Sequence, residues 1–406
     1  MSNSISKPNS IGSITFIAYL LAIIFGISNG LWGVEATLAA ADFLGTVFIR
    51  LFKFISIPII AVSIIATLAR ISQSSQSGKI FRQTLFYTIF TTVLASSLAA
   101  ILYLFFSPDN ITTQASQSIA KVSESSYLDY VKTIVPDNFL APFLSANVLS
   151  VLLVSAAIGL AIAKLPRQSK EQETLLTFFE GAQQVLFVLV RWIIKVLPLG
   201  IFGFITGLVI EMKNGVAVGG LGSYFATILS ANILQMFLVL PLLLLLKGLN
   251  PIKVFKGMSQ ALMVAFFSKS SAGTLPVTMN CAESQLGVRP SVSRFVLPIC
   301  TTINMNGCAA FILVTVVFLM QNAGAEITYS TLLTWIFIST LAAIGNAGVP
   351  MGCFFLSASL LASMNIPIAL MGVILPIYAV IDMVETTLNV WSDSCVCTMV
   401  NKDLYE

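Results

Sequence analysis

The last third of this chain is apolar but repeatedly broken, and the breaks limit its fold more than any other feature. Apolar runs turn at Ser268-Lys269-Ser270-Ser271-Ala272-Gly273-Thr274-Leu275-Pro276 and again at Ala343-Ile344-Gly345-Asn346-Ala347-Gly348-Val349-Pro350-Met351-Gly352. Between them a span is interrupted at Asn304-Met305-Asn306-Gly307, and after them an apolar helix carries Asp382, Glu385, Asn389 and Asp393. Non-helical backbone at membrane depth survives only where protein or a wet cavity satisfies its polar groups. Segments broken in this way must therefore enclose a polar site.

That these runs lie in a membrane follows from composition. The chain is 57% hydrophobic and only 9% charged, and its mean hydropathy is +0.94. Soluble domains carry about 25% charged residues. Runs long enough to cross a bilayer recur near residues 12–30, 43–70, 80–107, 142–164, 175–211 and 220–246. The second and fifth are longer than a bilayer needs, so tilt or extension is expected. Pro58 and Pro198 predict kinks inside them.

Loop charge orients the spans. Arg70, Lys79 and Arg82, then Lys164, Arg167 and Lys170, then Lys247, Lys253 and Lys256 fall in alternate loops. By the positive-inside rule both termini are cytoplasmic, and the loop at residues 108–141 is external. Asn110-Ile111-Thr112 matches a glycosylation pattern and is read as a chance match. Residues 1–9 show no cleavable signal pattern. The net charge of +4 is spread over short loops and carries no nucleic-acid signal. Histidine is absent, which removes the commonest catalytic base. The six cysteines have no metal-ligand spacing and read as small apolar packers, with Cys395 and Cys397 too close for a zinc pair.

Beyond residue 250 one plan appears twice: half-span, turn, half-span, long helix. The first copy is residues 251–287 followed by 291–321, and the second is 325–365 followed by 366–399. Paired interrupted segments in related halves point to a transporter's binding site. Asp382, Glu385, Asn389 and Asp393 fall on one helical stripe. Each charge at the bilayer centre costs about 2.5–3.5 kcal/mol, so a stripe of them implies a functional role. Asn304, Asn306 and freed backbone carbonyls are hard oxygen ligands suited to an alkali cation. Ser270 and Ser271 open a half-helix whose N-terminal amides can seat a carboxylate, and Asn346 to Gly348 offer the same from the other side. Two other classes stay open: a passive channel, and a membrane hydrolase using Ser270 activated by Lys269.

The Ser-rich turn at residues 267–276, the run from Leu297-Pro298 to Gly307, Ala347-Gly348-Val349-Pro350 and the helix from Asp382 to Asp393 occur in an order that resembles the dicarboxylate/amino acid:cation symporter family. Leu197-Pro198-Leu199-Gly200-Ile201-Phe202 also fits. The resemblance implies an all-α integral membrane fold with eight transmembrane helices, two re-entrant hairpins, inverted repeats and elevator-type transport. It implies a homotrimer in the plasma (inner) membrane, with residues 1–250 as scaffold and hairpin support, 251–399 as the transport core and 400–406 as a cytoplasmic tail. It implies no cofactor beyond sodium as the coupling ion. The implied substrate contacts are Ser270, Ser271, Gly348, Asp382, Glu385, Thr386 and Asn389. The implied sodium ligands are Thr91, Thr92, Cys300, Thr302, Asn304, Asn306, Asn346, Asn389 and Asp393.

The chain departs from that pattern at informative places. The family's broken helix reads Asn-Met-Asp-Gly-Thr, and here Asn306 replaces the Asp and Cys308 the Thr. Members with acidic substrates carry an Arg where this chain has Glu385. The segment Val384-Glu385-Thr386-Thr387-Leu388-Asn389 is instead similar to the bacterial serine/threonine-transporting branch. The expectation is sodium-coupled uptake of a small neutral amino acid with fewer coupled sodium ions. The alternative is a sodium- or proton-coupled glutamate, aspartate or dicarboxylate symporter, with Lys269 neutralising Glu385.

Overall fold

The computed structural model describes residues 10–70, 78–110, 135–144, 148–166, 169–213, 219–346, 351–364, 366 and 369–405, and among them there is no strand. Helices α1 (Ser10–Trp32), α2 (Glu35–Arg70), α3 (Gly78–Phe106), α4 (Ala141–Leu144), α5 (Val148–Lys164) and α6 (Lys170–Lys213) lead into α7 (Gly219–Leu234) and α8 (Leu240–Leu246). Between α7 and α8 a π-helical turn spans Gln235–Val239, closed by the Leu240 N–H donating to the Gln235 carbonyl. The last third folds as α9 (Pro251–Ser268), α10 (Ser271–Leu286), α11 (Pro290–Ile303), α12 (Asn306–Asn322), α13 (Tyr329–Ile344), α14 (Gly352–Ser363) and α15 (Ala369–Tyr405).

Local chemistry sets the ends of these elements. Pro251 and Pro290 stand in the first helical turn, where a missing N–H costs nothing. Asn250 caps α9 by accepting from Ile252 N and Lys253 N, and Thr328 opens α13 with a reciprocal capping box. Gly287 ends α10 at φ 68°, a left-handed conformation that favours glycine. Pro58 and Pro198 stay inside continuous helices.

The helices sort into two groups by packing. Helices α1, α2, α5 and α6 pack on one another. A Cβ on Gly203 would lie 2.7 Å from the Gly45 backbone N, so α2 and α6 approach backbone to backbone. Small residues make such contacts possible inside a membrane, where burial of apolar surface supplies no drive between helices. Helices α3 and α7 instead pack on α12, and α3 also touches α11, α13 and α15. The polar core is therefore enclosed by the last third together with α3 and α7. Residues 1–250 do not behave as one packing group, because α3 and α7 side with the later residues.

Three described stretches, Lys79–Phe106, Gly220–Leu246 and Pro290–Asn322, are long and apolar enough to cross a membrane by themselves. The hairpin arms are shorter: α13 is Tyr329–Ile344 and α14 is Gly352–Ser363. This matches two half-spans rather than two spans. Residues 400–405, expected as a tail, continue α15. They are held there: Lys247 Nζ lies 2.9 Å from Asp403 Oδ1, the Tyr87 hydroxyl donates to Asp403, and Lys402 Nζ donates to the Gly248 carbonyl. Hydrogen bonding with Tyr87 and Asp403 keeps the Lys247 ammonium above the ordinary lysine range.

Candidate functional site

Two polar constellations meet where α11 breaks into α12. The break itself is Asn304-Met305, with helix on both sides. Its side chains are fully committed. Asn304 Nδ2 donates to Asp393 Oδ1 at 2.9 Å and to Ser392 Oγ at 3.0 Å. Asn304 Oδ1 accepts from Thr91 Oγ1 at 3.0 Å and from Asn306 Nδ2 at 2.9 Å. Asn306 Nδ2 also donates to Ser392 Oγ, and Asn306 Oδ1 accepts from Gln235 Nε2 at 2.8 Å. Thr91, Gln235, Asn304, Asn306, Ser392 and Asp393 are all buried. Burying so many polar groups is tolerable because nearly all of them find partners; the exception among the described residues is Gln235 Oε1.

This cluster brings together some of the expected cation ligands and leaves out others. Thr91, Asn304, Asn306 and Asp393 join it. Thr92 does not: its hydroxyl donates to the Thr88 carbonyl of its own helix. Thr302 likewise bonds the Ile299 carbonyl. The Cys300 thiol faces Thr88 Oγ1 at 3.7 Å. Gln235 and Ser392 were not singled out from sequence. Gln235 and Asn232 are the two amides in an otherwise largely apolar span, and the cost of burying them unpaired was a usable signal.

The second constellation is a small cavity lined by Lys269, Ser271, Met305, Cys308, Asn346, Cys353, Asp382, Thr386 and Asn389. Most of the described expected substrate contacts are here. Ser271 begins α10, while Ser270 is spent as its N-cap, accepting from Gly273 N at 3.0 Å. Ser270 Oγ thus serves the start of the helix, and among the described residues it makes no hydrogen bond with Lys269. Lys269 holds φ 53° between the hairpin arms, a strained conformation for a long side chain. Its charge acts on Asp382, whereas the alternative reading places it on Glu385. Gly348 lies outside the described residues. Asn346, expected on the cation, sits here, with Nδ2 2.9 Å from Cys308 Sγ.

Helix α15 supplies the acids. Asp382 Oδ2 accepts from Met351 N at 3.4 Å. Asn389 Oδ1 accepts from Gly307 N at 2.9 Å, holding the start of α12 against α15. Glu385 lies behind the cavity wall and is only 1% exposed. Tyr378 donates to its Oε2 at 3.2 Å, and its Oε1 finds no hydrogen-bond partner among the described residues. A Cβ on Gly307 would lie 2.8 Å from Glu385 Cα and 3.1 Å from its carbonyl O. Gly307→Ala must therefore push α12 off α15, at a cost of about 1–3 kcal/mol. The expected result is a lower unfolding midpoint in detergent together with reduced transport. An unchanged midpoint would show that the two helices separate freely.

The reading of all six cysteines as apolar packers is corrected. Cys281, Cys300, Cys395 and Cys397 are buried free thiols, but Cys308 and Cys353 are joined as a disulfide at the cavity, linking α12 to α14. Spacing could not show this, because they are 45 residues apart in sequence.

Across almost the whole chain, residues 15–403 match the model of the sodium:dicarboxylate symporter family. The chain belongs to that family. A neutral amino acid transporter B(0) from Bos taurus is 30% identical over 96% of this chain and 79% of its own length. The Homo sapiens transporter of the same name is 28% identical with the same coverage. A putative sodium-dependent excitatory amino acid transporter, glt-4, from Caenorhabditis elegans is 26% identical over 98% of this chain and 90% of its own. Membership makes this a multi-pass membrane transport protein. It also accounts for buried carboxylates and amides at the centre of an apolar fold.

Proposed function

We propose that this symporter couples sodium entry to the uptake of a small neutral amino acid of the serine or threonine type. Sodium-coupled amino acid symport itself follows from the family and from the relatives named above. The substrate class rests on one observation: Glu385 is buried beside the cavity with one carboxylate oxygen unpartnered among the described residues. That oxygen accepts a hydroxyl or amide donor and repels a second carboxylate. Among the described residues no arginine lines the cavity, and the cation that does, Lys269, acts on Asp382. The substrate's ammonium binds Asp382, and its carboxylate meets the first amides of α10 at Ser271 and the Asn389 side chain. The deciding assay is sodium-driven accumulation of labelled serine in proteoliposomes, competed by unlabelled glutamate. Strong competition by glutamate without serine accumulation would overturn the assignment.

The transporter works as a homotrimer of eight membrane helices and two re-entrant hairpins. Both of its termini are cytoplasmic, and its transport unit moves in elevator fashion. The packing of α3 and α7 on the last third supports counting them with the moving unit, and α1, α2, α5 and α6 with the scaffold.

Ion coupling is leaner than in members with an acid at position 306. Gln235 Nε2 points its N–H at Asn306 Oδ1, and Asn306 Nδ2 points at Asn304 Oδ1. These amide donors carry partial positive charge where a cation would need oxygens, and fewer anionic ligands weaken a cation site. Asn306→Asp removes two N–H donors and adds a charge. It is expected to raise sodium affinity by about tenfold or more, corresponding to about 1.4 kcal/mol. Reversal potentials should also shift toward a higher sodium-to-substrate ratio. Unchanged reversal potentials in Asn306→Asp would remove this account.

A further inference from the structure

The cavity wall holds a second kind of chemistry that sodium and amino acid binding do not use. Cys308 Sγ, Cys353 Sγ and a Glu385 carboxylate oxygen all lie within 4.8 Å of one another, and all three residues are buried. The elements that bring them together are α12, α14 and α15. We propose that in the dithiol form these three side chains bind a soft divalent cation of the zinc and cadmium class, and that this cation closes the cavity to substrate.

Donor chemistry selects the guest. Two thiolates and a carboxylate suit zinc or cadmium, whereas sodium, magnesium and calcium prefer oxygen alone. Zinc holds sulfur at about 2.3 Å and carboxylate oxygen at about 2.0–2.2 Å. Ligand atoms around one such tetrahedral ion sit about 3.5–3.8 Å apart, which is within the spread available here once the sulfur–sulfur bond is open. The carboxylate is poised to act as a ligand, since Tyr378 fixes Oε2 while Oε1 is buried and without a partner among the described residues. The sulfurs are prepared as well. Asn346 Nδ2 lies 2.9 Å from Cys308 Sγ and 3.4 Å from Cys353 Sγ, and Asn389 Nδ2 lies 3.7 Å from Cys308 Sγ. N–H donors aimed at sulfur stabilise thiolate over thiol. Cys308, Cys353, Asn346 and Asn389 line the same cavity as Asp382, so an ion here neutralises Glu385 and takes the space of a substrate side chain.

The disulfide is the built-in control. Opening it with a phosphine and water gives two thiols and a phosphine oxide, so the two electrons come from phosphorus and the two protons from water. A disulfide has no thiolate to offer, so the oxidised protein has only Glu385 left and should not bind.

The test uses the purified full chain in detergent, reduced with a water-soluble phosphine, desalted and titrated with cadmium chloride. The expected result is a thiolate-to-cadmium ultraviolet absorption that saturates at one ion per chain. It should be absent in the oxidised protein and in the Cys308→Ala, Cys353→Ala double variant, which keeps the other four thiols. Glu385→Gln should bind at least tenfold more weakly. In reduced proteoliposomes cadmium should block sodium-driven serine uptake, while oxidised protein is insensitive to it. An equal absorption in the double variant, or none in the reduced wild type, overturns the proposal, as does binding that leaves uptake unaffected. The oxidised wild type needs no substitution, so a misfolded variant cannot decide the outcome. Only the uptake arm rests on the transport reading. If cadmium binds as expected but no preparation accumulates serine, the substrate assignment fails and the ion site stands.

Discussion

Glu385→Arg should invert the substrate preference of this transporter. The wild-type carboxylate is buried within 4.8 Å of the Cys308 and Cys353 sulfurs, with one oxygen unpartnered among the described residues. An acidic substrate therefore meets like charge in a poorly hydrated place, at a cost of several kcal/mol. At about 1.4 kcal/mol per tenfold, that is a discrimination of roughly 100- to 1,000-fold against glutamate. A guanidinium at the same place offers a planar, two-pronged partner to a carboxylate and nothing to a serine hydroxyl. Labelled serine uptake should fall and glutamate should become the better competitor. Glu385→Gln, which removes the repulsion without adding charge, should lie between the two. A Glu385→Arg protein that still accumulates serine and still rejects glutamate would mean that selectivity resides elsewhere.

Asp382→Asn carries the second large effect. Its carboxylate lines the cavity, accepts from Met351 N and faces the charge of Lys269. A hydrogen bond to a charged group contributes about 1.5–3 kcal/mol, so the KM for the amino acid should rise by about 10- to 100-fold. In the proposed binding mode Asp382 meets the substrate's ammonium alone. The 2-hydroxy analogue, which lacks that ammonium, should therefore compete about equally well against wild type and variant. Equal losses for both ligands would indicate that Asp382 supports the cavity without touching the amino group.

Much of this architecture was legible in the chain because a membrane makes polarity conspicuous. Each break at Ser268–Ser271, Asn304–Gly307 and Asn346 interrupts an apolar run, and each lies at the site. The acids of α15 stood out for the same reason. What stayed hidden were partners that are ordinary in their own segment. Tyr378 and Ser392 are inconspicuous within a long apolar helix, and only the folded core shows that they hold Glu385 and Asn304. Cys308 and Cys353 read as small apolar residues until α12 and α14 are placed side by side. Thr92 and Thr302, expected on the cation, bond carbonyls of their own helices. A hydroxyl in a helix can always bond its own carbonyl three or four residues back, so its presence says little about a ligand. Which of residues 1–250 serve as hairpin support could not be read from the chain, because chain order and packing order differ for α3 and α7.

The π turn at Gln235–Val239 changes how this span can vary over time. It holds one residue more than a regular turn, and Gln235, which reaches Asn306, and the Met236 carbonyl, which accepts from Trp391 Nε1, both belong to it. Losing a single residue there would wind the stretch back into ordinary helix and rotate one side against the other by about 100°. Tyr224, whose hydroxyl lies 2.8 Å from Thr315 Oγ1, and Gln235 would keep their shared face, but the buried Leu240 and Leu244 beyond the turn could no longer point inward together with them. The amide that occupies the cation cluster is thus tied to the length of the helix as well as to the identity of one residue. Shortening the span by one position would reset the ion chemistry of the core without touching any residue that meets the substrate.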